Sequence, residues 1–439
     1  MTGARTYVGF GFGAIQAGLF LHEAYCSGNF RRLVVAEVLP DLVANLRRVG
    51  GNYALNIAHP DGVESVRIGP IEIYDPAVAA DQECLVDALA EAQEISTAIP
   101  SVTYYRSAGP GSLQRLLAEG LRRKAADNGP AAVIYAAENH NHAAEILEEA
   151  VLGAMPSEEQ DAVRARVQFL NTVIGKMSGV ISDPATIGEQ ELATITPQDH
   201  RAFLVESFNR ILISRVRPSG AGQPPFRRGI EVFEEKQDLL PFEEAKLYGH
   251  NATHALAAYL GALAGARHIA DLKAIPGALA FLRAAFLDES GEALVRKHAG
   301  VDPLFTRQGY AHYADDLLAR MTNPHLLDTV ERVGRDPARK LGWNDRLVGT
   351  MRVALDQGVE PRRYAYGAAA ALVALDRSIL ERTLPVKALL DPIWRDAAPA
   401  EGQAKLIADR IEAGLRLLRA WYGSGCEDLE HLFRRTPRG

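Results

Sequence analysis

The chain has 439 residues, 47% of them hydrophobic and 23% charged, with a formal net charge of -7. That length exceeds one ordinary core, so two or three domains are expected, and the acidic balance excludes the electrostatic footprint of a nucleic-acid-binding protein. Cys26, Cys84 and Cys426 are too few and too scattered for a disulfide framework or a C-x-x-C metal site, which fits a reducing cytoplasm.

Tyr7 to Phe10 reads as a short buried strand, Gly11-Phe12-Gly13 as a tight turn and Ala14 to Ala24 as a helix. The apolar stretch from Tyr7 to Leu21 follows Arg5 but carries glycines, runs into His22-Glu23 and lacks a convincing small-x-small cleavage site, so a secretory signal is not expected from it. A second strand, Leu33 to Val38, carries Glu37 near its end. Strand, glycine turn, helix and a second strand ending in an acid is the layout of a dinucleotide-binding unit. Backbone N–H groups of Gly11, Gly13, Ala14, Ile15 and Gln16 would meet a pyrophosphate at the helix N-terminus. The Glu37 carboxylate would accept from the adenosine ribose, which favours NAD over a 2′-phosphorylated cofactor. Gln16 stands where G-x-G-x-x-G has its third glycine, and a methyltransferase cofactor loop fits Gly11-Phe12-Gly13 with Glu37 nearly as well.

Alternation continues downstream. Val63 to Tyr74 is strand-like with a Gly-Pro interruption, Cys84 to Glu94 helical, Ile95 to Val102 a strand, and Ser112 to Asp127 an amphipathic helix closed by Asn128-Gly129-Pro130. Ala132 to Ala137 is a buried strand ending at Glu138-Asn139-His140-Asn141-His142, ahead of the helix Ala143 to Leu152. Polar residues at such a strand end lie at the ligand crevice. Glu138, His140 and His142 lack the distant partners of a metal set, and Asn139 or Asn141 serves equally as a helix cap; no metal is assigned. Gln168 to Ile174 is a strand carrying Asn171, either a satisfied core amide or a site donor. Pro184 to Pro197 reads as an irregular crossing, which places domain boundaries at 1–196 and 197–439.

Beyond Pro197 the pattern turns helical: Phe203 to Ile213, then Leu279 to Phe286, Gly291 to His298, Tyr310 to Arg320, His325 to Val333, Leu347 to Gln357, Tyr364 to Asp376 and Gln403 to Tyr422. Arg217 to Gln223 and Pro392 to Gly402 are loops. The apolar runs Ala255 to Ala264 and Tyr364 to Leu375 fall short of the roughly 20 residues a spanning helix needs. The fold class is therefore an α/β Rossmann-type dinucleotide-binding domain followed by a mostly α-helical domain, with a cleft between them for substrate. If Glu243 to about Ala264 is one helix, then at roughly 100° per residue Lys246, Asn251 and His254 share a face. A partly desolvated Lys beside an amide and an imidazole is a candidate proton-handling site; a solvated helix end is the plainer reading.

Lys246-x4-Asn251-x2-His254, Gly11-Phe12-Gly13-Ala14, Ala137-Glu138-Asn139, Phe169-Leu170-Asn171-Thr172, Pro241-Phe242-Glu243 and Asn323-Pro324 with Arg332 to Leu341 together resemble the polyol-specific long-chain dehydrogenases of the mannitol dehydrogenase family. Ala137 replaces that family's cysteine, and His250 and the Ala252-Thr253 pair depart from its pattern. The resemblance implies NAD-dependent oxidation of a polyol carbon without metal, with Lys246 as base, Asn171 and Asn251 as alkoxide donors, His254 orienting the oxygen and Glu243 as proton gate. It implies Glu138 and Asn139 at the cofactor and Arg332 and Lys340 at the substrate; nearby Arg335 and Arg339 could hold a phosphate. The flanking sequence looks closest to the branch acting on mannitol 1-phosphate. The implied partner is a small polyol or polyol phosphate, with no nucleic acid or membrane, in a cytoplasmic monomer or homodimer. An NADH-sensing protein without turnover is the non-enzyme alternative.

Overall fold

Residues 5–217, 226–382 and 385–435 are described in the computed structural model; the loop expected over Arg217 to Gln223 lies, after Arg217, outside them. The apolar segments of the first half form β1 (Arg5–Phe10), β2 (Phe30–Ala36), β3 (Tyr53–His59), β4 (Gly62–Ile68), β5 (Glu72–Tyr74), β6 (Glu94–Thr97), β7 (Ala132–Ala136) and β8 (Val167–Val173). Four more strands follow: β9 (Ser178–Ile181), β10 (Ala202–Glu206), β11 (Leu212–Ser214) and β12 (Glu234–Lys236).

Eight of them make one sheet in the order β12-β11-β8-β7-β6-β1-β2-β5. Pairing is parallel from β5 to β8, and β1 and β7 are almost wholly buried, as expected for a parallel sheet covered on both faces. The chain runs outward from β1 to β2 and β5, then returns to β6 and continues the other way. The strand order therefore reverses between β1 and β6, which opens a crevice at their C-terminal ends.

The other sheet, β4-β3-β10-β9, is not anticipated by the helical reading of Phe203 to Ile213. That stretch is two short strands, β10 and β11, one in each sheet. Pro184 to Pro197 likewise contains the helix Pro184–Glu189, with Asp183 capping it through Thr186 N. Because β10 and β11 pair with strands from the first half and β12 extends the sheet from β11, the chain divides at Leu239/Leu240 and not at 196/197. Hydrogen-bonded strands cannot be parted without stranding their backbone groups, so the boundary waits until β12 is complete.

The second unit is helical, and among its described residues only an isolated bridge, His268 to Thr329, has strand character. Its centre is Arg362–Leu375, buried from Tyr364 through Val373. Small residues let neighbours close on it. A Cβ at Gly367 would stand 2.6 Å from Leu256 Cδ1, and one at Gly414 would stand 2.6 Å from the Ala365 carbonyl oxygen. Among the described residues no helix is long and apolar enough to cross a membrane.

Candidate active site

At the crevice of the first unit, β1 ends in the turn Gly11-Phe12-Gly13. Gly11 has φ +83, and a Cβ there would stand 2.8 Å from the Ala98 carbonyl oxygen just after β6, so the turn needs glycine both for its dihedral and for its closeness. At Gly13 a Cβ would meet nothing within 4 Å. Open space beside an exposed glycine, ahead of first-turn N–H groups that a helix leaves unpaired, fits a pyrophosphate. Glu37 ties the turn down: Oε2 accepts from Phe12 N at 2.7 Å and Oε1 from Leu39 N at 2.9 Å. It is buried, and a carboxylate has roughly four lone-pair positions, so capacity remains for a ribose hydroxyl.

The Gln16 side chain does not belong among the cofactor contacts. It is fully buried, its Nε2 donating to Tyr7 Oη at 2.6 Å and its Oε1 accepting from Ser96 Oγ at 2.8 Å. It lies over Gly9 of β1, where any Cβ would run into its amide. The usual third glycine allows close packing of helix on strand; here the strand supplies the glycine and the helix the bulk.

Glu138 is also turned inward. Its carboxylate accepts from Ile99 N at 2.9 Å, from Thr97 Oγ1 at 2.8 Å and from Tyr105 Oη, bracing the loops that follow β6 and β7, while Asn139 beside it is exposed. Asn171 on β8 caps the helix Ala143–Leu152, its Oδ1 accepting from Ala144 N and its Nδ2 donating to Glu145, each at 2.8 Å. One Nδ2 hydrogen remains. Among the described residues no group of three His, Cys, Asp or Glu is arranged to hold a metal ion.

In the second unit, Lys246 lies on a segment that continues from Leu240–Glu244 through a π-helical stretch, Ala245–Asn251, into Ala252–Leu263. The sequence implies one regular helix; the structure winds its first part more loosely. With i to i+5 bonding, Asn251 comes about one turn after Lys246. Thr253, one of the residues that departs from the family pattern, bonds Tyr364 Oη at 2.8 Å in the core. It anchors the segment in the core.

Lys246 is half-buried. Burial, helped by the Arg346 guanidinium and opposed by Glu243, brings its pKa down to about 8. Arg346 opens the helix Arg346–Asp356, which is fastened to the Lys246 segment where Thr350 Oγ1 donates to the Tyr248 carbonyl at 3.0 Å. His250 is buried, and burial with Arg320 nearby pushes its pKa well below the usual value, so it stands neutral beside His254, ring centres 6.3 Å apart. His254 Nε2 lies 3.1 Å from Asp328 Oδ2, off the hydrogen-bonding line. Nothing in the sequence marks Asp328, which the helix expected over His325 to Val333 would place on an ordinary surface turn.

Arg332 bonds the other oxygen of Asp328 through Nε at 2.9 Å and Nη2 at 2.6 Å. Lys340 is buried, donates to the Arg335 carbonyl, and has its pKa lowered to about 8 by burial and by Arg346 and Arg339. Arg335 and Arg339 are exposed, Arg339 3.6 Å from Asp336. Of the four cations assigned to substrate, Arg332 and Lys340 thus have firm partners and the other two face solvent.

The mannitol dehydrogenase Rossmann domain model matches residues 5–220, and the mannitol dehydrogenase C-terminal domain model matches 238–413. A mannitol-1-phosphate 5-dehydrogenase from Bacillus licheniformis is 31% identical over 368 residues, 83% of this chain and 86% of that protein. Among solved structures, a D-sorbitol dehydrogenase in substrate-free form matches with a TM-score of 0.74 at 15% identity, over 97% of this chain and 95% of the other. Pseudomonas fluorescens mannitol 2-dehydrogenase, in a ternary complex with NAD and D-mannitol, matches with a TM-score of 0.69 at 18% identity, over 99% and 95%. These two likenesses establish the fold, and the matches over sequence establish the family. The chain belongs to the mannitol dehydrogenase family of NAD-dependent polyol dehydrogenases.

Proposed function

We propose that this enzyme interconverts a polyol phosphate of the mannitol 1-phosphate type and the corresponding ketose phosphate of the fructose 6-phosphate type, with Lys246 as the general base. The observation that carries the chemistry is a lysine whose pKa is brought down to about 8 on the helical segment that also carries the Asn251 amide and the His254 imidazole. A base poised near working pH is half deprotonated there and still basic enough to take a hydroxyl proton. Lys246 Nζ removes that proton as the carbon gives up its hydride, for which a bound nicotinamide would supply the acceptor. Asn251 and Asn171 donate Nδ2–H bonds to the developing alkoxide, and His254 fixes the oxygen's position. Glu243, three residues before Lys246, returns the proton to solvent. Gly11, Gly13 and the first-turn amides of Ala14, Ile15 and Gln16 would hold the pyrophosphate, and Glu37 would accept from the ribose.

The phosphate half of the reading rests on the 31% identical relative and on the cations Arg332, Arg335, Arg339 and Lys340. An unphosphorylated polyol or a hexuronate is the second reading, favoured by Arg332 and Lys340 being already engaged with Asp328 and the Arg335 carbonyl. Family membership sets aside the methyltransferase reading of the glycine turn. NADH absorbance, followed with mannitol 1-phosphate, fructose 6-phosphate, mannitol, fructose, arabinitol and hexuronates, separates the rest. The expected result is a kcat/KM about 100-fold or more higher for the phosphorylated pair. Equal or greater activity on free polyols would install the second reading, and binding of NADH with no turnover of any compound would make the protein a sensor. Lys246→Ala should keep NADH binding and lose about 1000-fold in turnover; near-normal turnover would remove the base.

A further inference from the structure

The segment from His325 to Val333 looks helical from its apolar spacing, yet the chain breaks it. A short 3-10 turn, Pro324–Leu326, is followed by Leu327 at φ 54, a left-handed conformation that is uncommon for a leucine. The helix restarts only at Val330. What the break delivers is Asp328, whose backbone neighbourhood is pinned on both sides: its carbonyl accepts from Ile269 N at 2.9 Å, and Val330 N donates to the Arg267 carbonyl at 3.0 Å. Against it lies the helix that carries His254, where Gly261 gives Val330 room; a Cβ there would stand 2.9 Å from Val330 Cγ2.

Asp328 is 4% exposed. Burial raises a carboxyl pKa, but the contacts from His254 and Arg332 outweigh it and hold Asp328 below the ordinary range, hence ionised. One oxygen is 3.1 Å from His254 Nε2, and the other takes both Nε and Nη2 of Arg332. A buried carboxylate on one ring nitrogen fixes the tautomer and orientation of an imidazole, leaving the other nitrogen for chemistry. Apo geometry that is out of line tightens when substrate fills the site.

We infer that Asp328 is the positioning residue of this site, a single carboxylate that sets the tautomer of His254 through one oxygen and the aim of Arg332 through the other. The inference rests on the reading that His254 meets the reacting oxygen and Arg332 the substrate. It makes orientation of the reacting carbon and grip on the remainder of the substrate depend on one residue that touches neither.

The test is a pair of double-mutant cycles on the full chain, assayed with whichever polyol the panel identifies. Asp328→Asn preserves shape and removes charge; we expect kcat to fall about 30- to 100-fold and KM to rise about tenfold. In a His254→Ala background the kcat loss on adding Asp328→Asn should shrink to about threefold or less, and in an Arg332→Ala background the KM change should disappear. Wild-type kinetics for Asp328→Asn, or losses undiminished in both backgrounds, would overturn the inference. Asp328→Glu restores the charge; a loss equal to that of Asp328→Asn would show a role for shape alone and overturn it as well. If Asp328→Asn does not fold by circular dichroism, the cycles are run with Asp328→Ser, which also removes the charge, against the same criteria. A His254→Ala enzyme with undiminished kcat would instead refute the reading of His254, which the single variant reveals on its own.

Discussion

A lysine is a useful base only if something takes it below its usual pKa, and at Lys246 the contributions have separate owners. Burial does most, Arg346 adds to it, and Glu243 opposes it, leaving the group at about 8. The sign of the pH dependence follows. Alcohol oxidation needs the neutral amine, so kcat/KM for polyol oxidation should climb about tenfold per pH unit at low pH and level off above pH 8. Ketose reduction needs the ammonium and should fall above the same midpoint. Glu243→Gln removes the charge that raises the lysine and should move the midpoint down, whereas Arg346→Leu should move it up. Stopped-flow profiles in both directions check this, and a midpoint indifferent to both substitutions would mean that another group titrates. Lys246, Asn251 and His254 are legible in the sequence because they lie within nine residues of one another. Asp328 and Arg346 act on them from far along the chain, and no local spacing connects them.

Elements are legible where one segment carries its whole reason for folding. The run from β1 through the glycine turn into the helix and β2 does so, because apolar periodicity, the turn glycines and Glu37 sit in a single stretch. Strands β9, β10 and β11 do not: each is short and stabilised by partners distant in sequence, so its residues read equally as pieces of helix. Leu327 shows the opposite failure, since periodicity runs smoothly through a residue whose left-handed backbone only tertiary contacts impose. Gln16 is an apparent flaw in the motif that the partner element explains. Gly9 on β1 leaves the space that Gln16 fills, its amide held by Tyr7 and Ser96. Gly9→Ala should therefore destabilise the protein by about 1–3 kcal/mol by overpacking, and adding Gln16→Ala should return part of that loss, since the two positions share one space. Thermal unfolding of both singles and the double decides; strict additivity would show that the helix does not depend on this pairing.

At the scale of the molecule, two hydrophobic clusters lie wholly on one side of the division at Leu239/Leu240. One joins Tyr7, Leu55, Phe203 and Phe233, and another joins Val8, Leu117 and Val167, both wholly within the first unit. The two family matches, 5–220 and 238–413, change over shortly before it. The glycine turn, the first-turn amides and Glu37 all lie in this unit, together with the contacts that hold them: Glu37 on Phe12 and Leu39, and Gly11 against Ala98. A unit with its own core and its own boundary can in principle fold alone. Residues 1–239, expressed without the rest, are therefore expected to unfold in one cooperative thermal transition and to bind NADH, seen as enhanced nicotinamide fluorescence, while turning over no polyol because Lys246, Asn251 and His254 are absent. Glu37→Gln in this fragment replaces one acceptor oxygen by an amide that faces Phe12 N or Leu39 N with a donor, which should cost about tenfold or more in NADH affinity. A fragment that folds yet ignores NADH would place the determinants of cofactor binding after Leu239, and one that fails to fold would show that the first unit draws its stability from the second.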